Sequence, residues 1–263
     1  MNKLLLIPLG LLLAACASKA PPEPGPARQA RVLSESAARA SLAGQWRSAA
    51  AQWQEAARRH AALDDWNAAG QALLGAAQAL AGQGEPAQAA AMLDGLGAAR
   101  YPAAVRGEAL YQRALIDLAA KDWPAGLARL AAAEALLPAD EPLRAAIPNA
   151  RAREAQARGD WAEMKRQAGL ALAVAAIEPA ERANALRLRG VAALAQGETA
   201  AARGDLDAAL ALDRSLARPA GIAADLAALA DWARRTGDPA AEEWADRAAA
   251  VCTAAGLAAR LDR

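Results

Sequence analysis

Apolar positions in this chain return every three to four residues and almost never alternate, so the pattern predicts helices rather than strands. Counting from Trp46, the inward positions are Ala49, Trp53 and Ala56, at offsets of 3, 7 and 10. The same offsets give Ala89, Leu93 and Leu96 after Pro86; Gly126, Leu130 and Ala133 after Trp123; and Ala202, Leu206 and Ala209 after Thr199. These offsets fall on one helical face. The small residue at the first position lets two backbones come close, and the large one at the second fills the space beside them. The pattern predicts helices over 33–43, 46–59, 65–81, 86–97, 102–120, 123–137, 142–158, 161–176, 179–196, 199–213, 218–235 and 239–256.

Between alternate helices stands a recurring turn: Gly44-Gln45-Trp46, Gly84-Glu85-Pro86, Lys121-Asp122-Trp123, Gly159-Asp160-Trp161, Gly197-Glu198-Thr199 and Gly237-Asp238-Pro239. Successive turns lie 40, 37, 38, 38 and 40 residues apart. A period in this range is the mark of a repeat array. Glycine after a helix takes the left-handed conformation that ends it, and proline starts the next one. Pro148 falls inside an expected helix, so a short preceding turn or a kink is expected there. Nine positions before most turns stands a small residue (Ala77, Ala114, Ala152, Gly190, Ala230), often with a leucine four residues earlier. Together these positions resemble the tetratricopeptide repeat (TPR), with Trp46, Trp123 and Trp161 where that motif often has Tyr. The resemblance implies an all-α, right-handed α-solenoid of about six antiparallel helix pairs, spanning roughly residues 34–255 with a partial or atypical first unit. Two departures stand out. The period is longer than that motif's, and Glu242 and Asp246 occupy the small and large positions of the last unit, which suggests a shifted helix. Another α-solenoid is the alternative architecture.

Ala and Leu dominate and Phe is absent, a composition that favours helix and disfavours sheet. Thirty basic and 29 acidic residues are mixed along the chain. A nucleic-acid binder needs a basic face, and no basic tract exists to make one, so no nucleic-acid partner is expected.

The N-terminus reads differently. Met1-Asn2-Lys3 precedes an apolar run from Leu4 to Leu13. That run is too short to span a bilayer, which takes about 20 residues, and has the length of a signal-peptide core. Leu13-Ala14-Ala15-Cys16 follows and resembles a bacterial lipobox. The resemblance implies a signal peptide over 1–15 and lipidation of Cys16 (palmitate among the acyl chains), which anchors the protein to the membrane. Ala17, where an Asp would resemble inner-membrane retention, resembles outer-membrane sorting and implies a periplasm-facing protein, with the inner membrane as the alternative. An ordinary signal peptide cut at Ala-x-Ala is the other reading. Residues 16–32 carry four prolines and a glycine and are expected to form a Pro/Ala-rich tether without helix across most of it. The repeat domain then covers 33–256, with a tail at 257–263. Cys252, in the last helix, is expected to be a small buried hydrophobe.

Catalytic patterns are missing. There is one histidine, His60, too few ligands for a His/Cys metal cluster. No phosphate-cradling loop or nucleophile elbow occurs, and adjacent carboxylates such as Asp64-Asp65 point different ways on a helix. No enzyme, cofactor or metal is expected. In proteins resembling this repeat the first helix of each pair lines the inner curve. Carried over, that places Gln71, Gln78, Glu108, Tyr111, Asn149, Arg153, Gln156, Asn184, Arg187, Asp231, Arg234 and Arg235 in a partner-binding groove. The resemblance implies a scaffold or adaptor lipoprotein that binds an envelope protein, as pilotins and outer-membrane assembly components do. A regulator of a peptidoglycan synthase is the alternative.

Overall fold

The computed structural model describes residues 24–138, 141–175 and 177–257. Twelve α-helices occupy them: α1 (Gly25–Leu42), α2 (Trp46–Ala61), α3 (Trp66–Gln83), α4 (Pro86–Gly95), α5 (Ala103–Ala119), α6 (Trp123–Leu136), α7 (Ala146–Arg158), α8 (Trp161–Leu172), α9 (Pro179–Ala195), α10 (Thr199–Ser215), α11 (Pro219–Thr236) and α12 (Ala241–Ala254). No strand occurs among the described residues. The expected signal peptide over 1–15 and Cys16 lie outside the described residues.

The turn within each pair is built the same way six times. The N–H groups of Gln45, Glu85, Asp122, Asp160, Glu198 and Asp238 each reach back five residues to a carbonyl, all at 2.9 Å. Such a bond closes a helix C-terminus and requires a left-handed residue just before it. Glycine fills that place in five turns, with φ between 69° and 89°. Lys121 fills it in the third, with φ 63°. The residue after it opens the next helix. Asp122 and Asp160 have the reach to accept the backbone N–H of Ala125 and Glu163, whereas the longer Glu85 and Glu198 make no cap.

Each helix packs on the next in sequence. The odd-numbered helices also touch one another along the whole array, and the even-numbered ones make no comparable contact among themselves. The odd helices therefore form the tight inner layer and the even helices the spread outer one. The small-residue register is visible directly. A Cβ on Gly190 would lie 3.1 Å from the Ala202 carbonyl, and one on Gly126 would lie 3.4 Å from the Ala114 carbonyl. Leu93, Leu130 and Leu206 fill the next position and are buried. In the fourth pair Met164 and Ala168 take these places, both fully buried. The last pair is shifted: α12 opens two residues late, on Ala240, so Ala248 turns inward and Glu242 and Asp246 face solvent.

Two boundaries differ from the sequence reading. The expected tether over 16–32 is helical from Gly25, because Pro24 precedes the helix and Pro26 sits in its first turn, where a missing N–H costs nothing. Ala27 to Arg31 are then ordinary helix formers, and the first pair is complete. Pro148 is accommodated by a short preceding turn: a 3-10 segment, Pro142–Ala145, leads into α7 and leaves Pro148 in its first turn, buried. Arg144 in that segment donates to the carbonyls of Glu134, Leu137 and Pro138 at 2.7–3.0 Å. These carbonyls lie at and just beyond the end of α6, where a cation is favoured. Cys252 is a free thiol and half-buried rather than buried.

Lys121→Gly should raise stability by roughly 1 kcal/mol, the cost of holding an L-residue left-handed; thermal or urea unfolding checks it. Ala202→Trp should lower stability by ~1–3 kcal/mol by overpacking the contact with α9, and an unchanged midpoint would contradict the register.

Candidate partner-binding groove

An open groove of about 780 Å³ lies between the inner helices α3 and α5 and the outer helix α4. Its walls are mostly small and apolar: Ala77 and Ala81 from α3, Pro86, Ala87 and Ala90 from α4, and Leu115 and Ile116 from α5. Gln78, Tyr111 and Arg113 stand on its lining. A second crevice of about 290 Å³ runs between α5, α6 and α7, lined by Trp123, Ala150 and Arg153. Leu115 and Ala119 belong to both, so the two form neighbouring subsites on one surface. Leu115 is 36% exposed, unusual for a leucine in mid-helix.

Two groups on α5 are perturbed by burial. Burial pushes the Glu108 carboxyl above the usual range, against hydrogen bonds from Gln112 and Gln71 that favour its charge. Burial likewise pushes the Tyr111 hydroxyl up to about 12; the Glu181 charge adds to the rise and Arg153 opposes it. Tyr111 is therefore a neutral donor at any ordinary pH. Arg113 and Arg129 both pair with the buried Asp117 on the floor side. Arg113 also lies 3.4 Å from Asp94.

The expected groove residues separate into two groups. Gln71, Gln78, Glu108, Tyr111, Arg153 and Gln156 lie on α3, α5 and α7, exposed or half-buried. Asp231, Arg234 and Arg235 form an exposed ion cluster on α11, with Arg235 3.0 Å from Asp231. The other three are structural. Asn149 is fully buried and donates to the backbone and side chain of Glu181 at 3.0 and 2.7 Å, stitching α7 to α9. Asn184 is buried and accepts from Arg187 at 2.7 Å. Arg187 reaches Asp225 at 2.9 Å and Asp213 at 3.3 Å, so its charge is spent inside the fold rather than offered to a partner. Polar residues on the inner helices were expected to face a groove. These three instead find their partners inside the fold, because an inner helix also packs against its inner neighbours. Leu115 and the α4 wall were missed. The signal was present, since Leu115 is apolar yet stands one residue off the Leu110–Ala114–Leu118 stripe.

No family model and no curated protein matches this chain. Solved structures do. A putative kinesin light chain protein of Podosopora anserina with nearly identical TPR-like repeats is similar over 74% of this chain and 100% of its own, with 19% identity and a TM-score of 0.52. A singly substituted form of the same protein gives 0.53. The APC/C hetero-tetramer Cut9–Hcn1 is similar over 83% of this chain and 42% of that longer one, with 16% identity and a TM-score of 0.57. The fold is a TPR-like solenoid. In these terms α3, α5 and α7 are first helices of TPR-like pairs, and the groove opens where consecutive first helices meet. His60, half-buried on α2, lies 3.4 Å from the Ser34 hydroxyl and 3.8 Å from Asp65. Among the described residues, no three His, Cys, Asp or Glu side chains gather as a metal site would require, and no helix is long and apolar enough to cross a membrane.

Arg187→Glu should cost about 3–5 kcal/mol, since it sets a third carboxylate against two buried ones. Arg153→Glu, exposed on the crevice, should change stability by no more than about 0.5 kcal/mol. Urea denaturation of the two variants distinguishes structural from available arginine.

Proposed function

We propose that this chain is a protein-binding scaffold whose inner face receives an amphipathic helix of a partner protein. The apolar groove between α3, α4 and α5 carries the reading. Its alanine walls allow a second helix backbone to approach closely, and Leu115 and Ile116 offer an apolar contact for the partner's buried face. Gln78 and the neutral Tyr111 supply hydrogen bonds at the edge. Helix-in-groove recognition draws its affinity from apolar anchors and its orientation from such polar groups. The structural neighbours are TPR-like repeat proteins, and one of them is solved as a hetero-tetramer. These likenesses support binding as the work of the fold and carry no partner with them.

The setting we propose follows from the N-terminus. The apolar run and Leu13-Ala14-Ala15-Cys16 support a lipoprotein anchored through Cys16 to the bacterial outer membrane and facing the periplasm. Two or more acyl chains give stable anchoring where one alone does not. The partner is then an envelope protein, and the role is assistance in building an envelope machine. The absence of a catalytic pattern in the sequence agrees with a scaffold rather than an enzyme.

A photo-crosslinking residue at Ala119 in the full-length lipidated protein should trap one envelope partner, while the same probe at Ala131 on the outer helix α6 should not. Leu115→Glu should abolish the Ala119 product with little change in stability, because that side chain is already part exposed. Equal trapping at both positions would overturn the groove. Separately, Cys16→Ser should move the protein from the membrane pellet to the soluble fraction; retention in the pellet would overturn the anchor.

A further inference from the structure

Two carboxylates are fully buried at the junction of α9, α10 and α11. Asp213 and Asp225 each have no solvent exposure. They are served unequally. Asp213 accepts from Arg218 at 2.7 Å and from Arg187 at 3.3 Å. Asp225 Oδ1 accepts from the same Arg187 nitrogen at 2.9 Å, and Asp225 Oδ2 is buried with no donor. A carboxylate oxygen without a donor, out of water, is costly as an anion. A protonated oxygen there has an acceptor at hand in the Asp213 carboxylate. Asp213 packs directly against α11, since a Cβ on Gly221 would lie 1.9 Å from its Oδ2. Only glycine fits beside it, and the carboxylate is held toward α11.

We propose that Asp213 and Asp225 share one proton, carried on Asp225 Oδ2, and that its loss loosens the packing of α11 and α12 on the rest of the array. The charged groups facing Asp225 are Arg187 from α9 and Asp213 from α10, and Arg218, just before α11, pairs with Asp213. On α12, Arg247 pairs with Glu243, and Glu242 and Asp246 are exposed. Burial, followed by the charge and hydrogen bond of Asp213, pushes the Asp225 carboxyl up to about 7 against the pull of Arg187. Its folded-state value thus lies above its ordinary one. Its contribution to stability is complete in acid and is lost as pH rises through about 7. Arg187 and Arg218 offset the charge that appears but add no donor for the orphaned oxygen.

Amide hydrogen exchange of the full chain, corrected for intrinsic rates, tests this between about pH 6 and 8. Protection in α11 and α12 should fall about tenfold over that range. Glu108 is also raised, so its effect must be separated. Glu108→Gln should leave the fall intact, whereas Asp225→Asn, which copies the protonated form and keeps a donor toward Asp213, should abolish it. Carboxyl-carbon NMR of the wild-type chain should show an aspartate titrating near neutrality, a signal that Asp225→Asn removes. Flat protection across this range, an unchanged slope in Asp225→Asn, or no neutral-titrating aspartate would each overturn the proposal. The NMR arm stands even where a variant fails to fold.

Discussion

Close approach between helices is the constraint on which this array rests. Its core is mostly alanine, which buries little area per residue. Stability therefore has to come from density of contact, and density requires that backbones come near one another. The Gly190–Ala202 and Ala114–Gly126 contacts show how this is done, since a Cβ on either glycine would crowd the facing carbonyl and the leucine (Leu206 or Leu118) packed beside it. The large residues then have fixed places. Leu206 and Leu130 close the gap one turn further on, fully buried. The six like turns serve the same constraint, because each sets the distance and angle at which its two helices meet.

The periodicity was legible because it repeats. One occurrence of small-then-large spacing means little, but four in register, each after a helix-breaking turn, place the helices to within a few residues. What was not legible involved the third dimension. Asn149, Asn184 and Arg187 share helix positions with truly exposed residues, and only the neighbouring helix decides which polar groups are covered. The start of α1 was missed for a local reason: Pro21, Pro22, Pro24 and Pro26 together suggest an extended chain, yet the last of them sits in the turn where proline is tolerated. The groove was half legible. Its rim residues were named, and its apolar walls were not, because attention to polar side chains passes over alanine and a single displaced leucine.

The joints of the array are filled in two different ways. Toward the N-terminus the joints are filled by aromatics: Trp66 meets Tyr101 edge-on, with Arg100 stacked on both, and Trp46 and Trp53 pack where Gly82 and Gly75 leave room. Around α9 to α11 the joint is ionic, built from Arg187, Asp213, Asp225 and Arg218. An aromatic joint tolerates small shifts, whereas a buried ionic one leaves unpaired charge when it moves. The groove has a buried ionic joint of its own on α5, where Asp117 pairs with Arg113 and Arg129 beside its apolar walls.

Because the turn within every pair is closed by the same backbone bond, the chain carries its own unit of editing. Removing one residue from within a helix rotates everything after it by roughly 100° about the axis and turns a buried face outward. Removing 38 residues, one period at the middle joints, returns the next helix to an equivalent seat on an equivalent neighbour. The larger deletion is the gentler one, and the length of such an array is free to change only in whole steps.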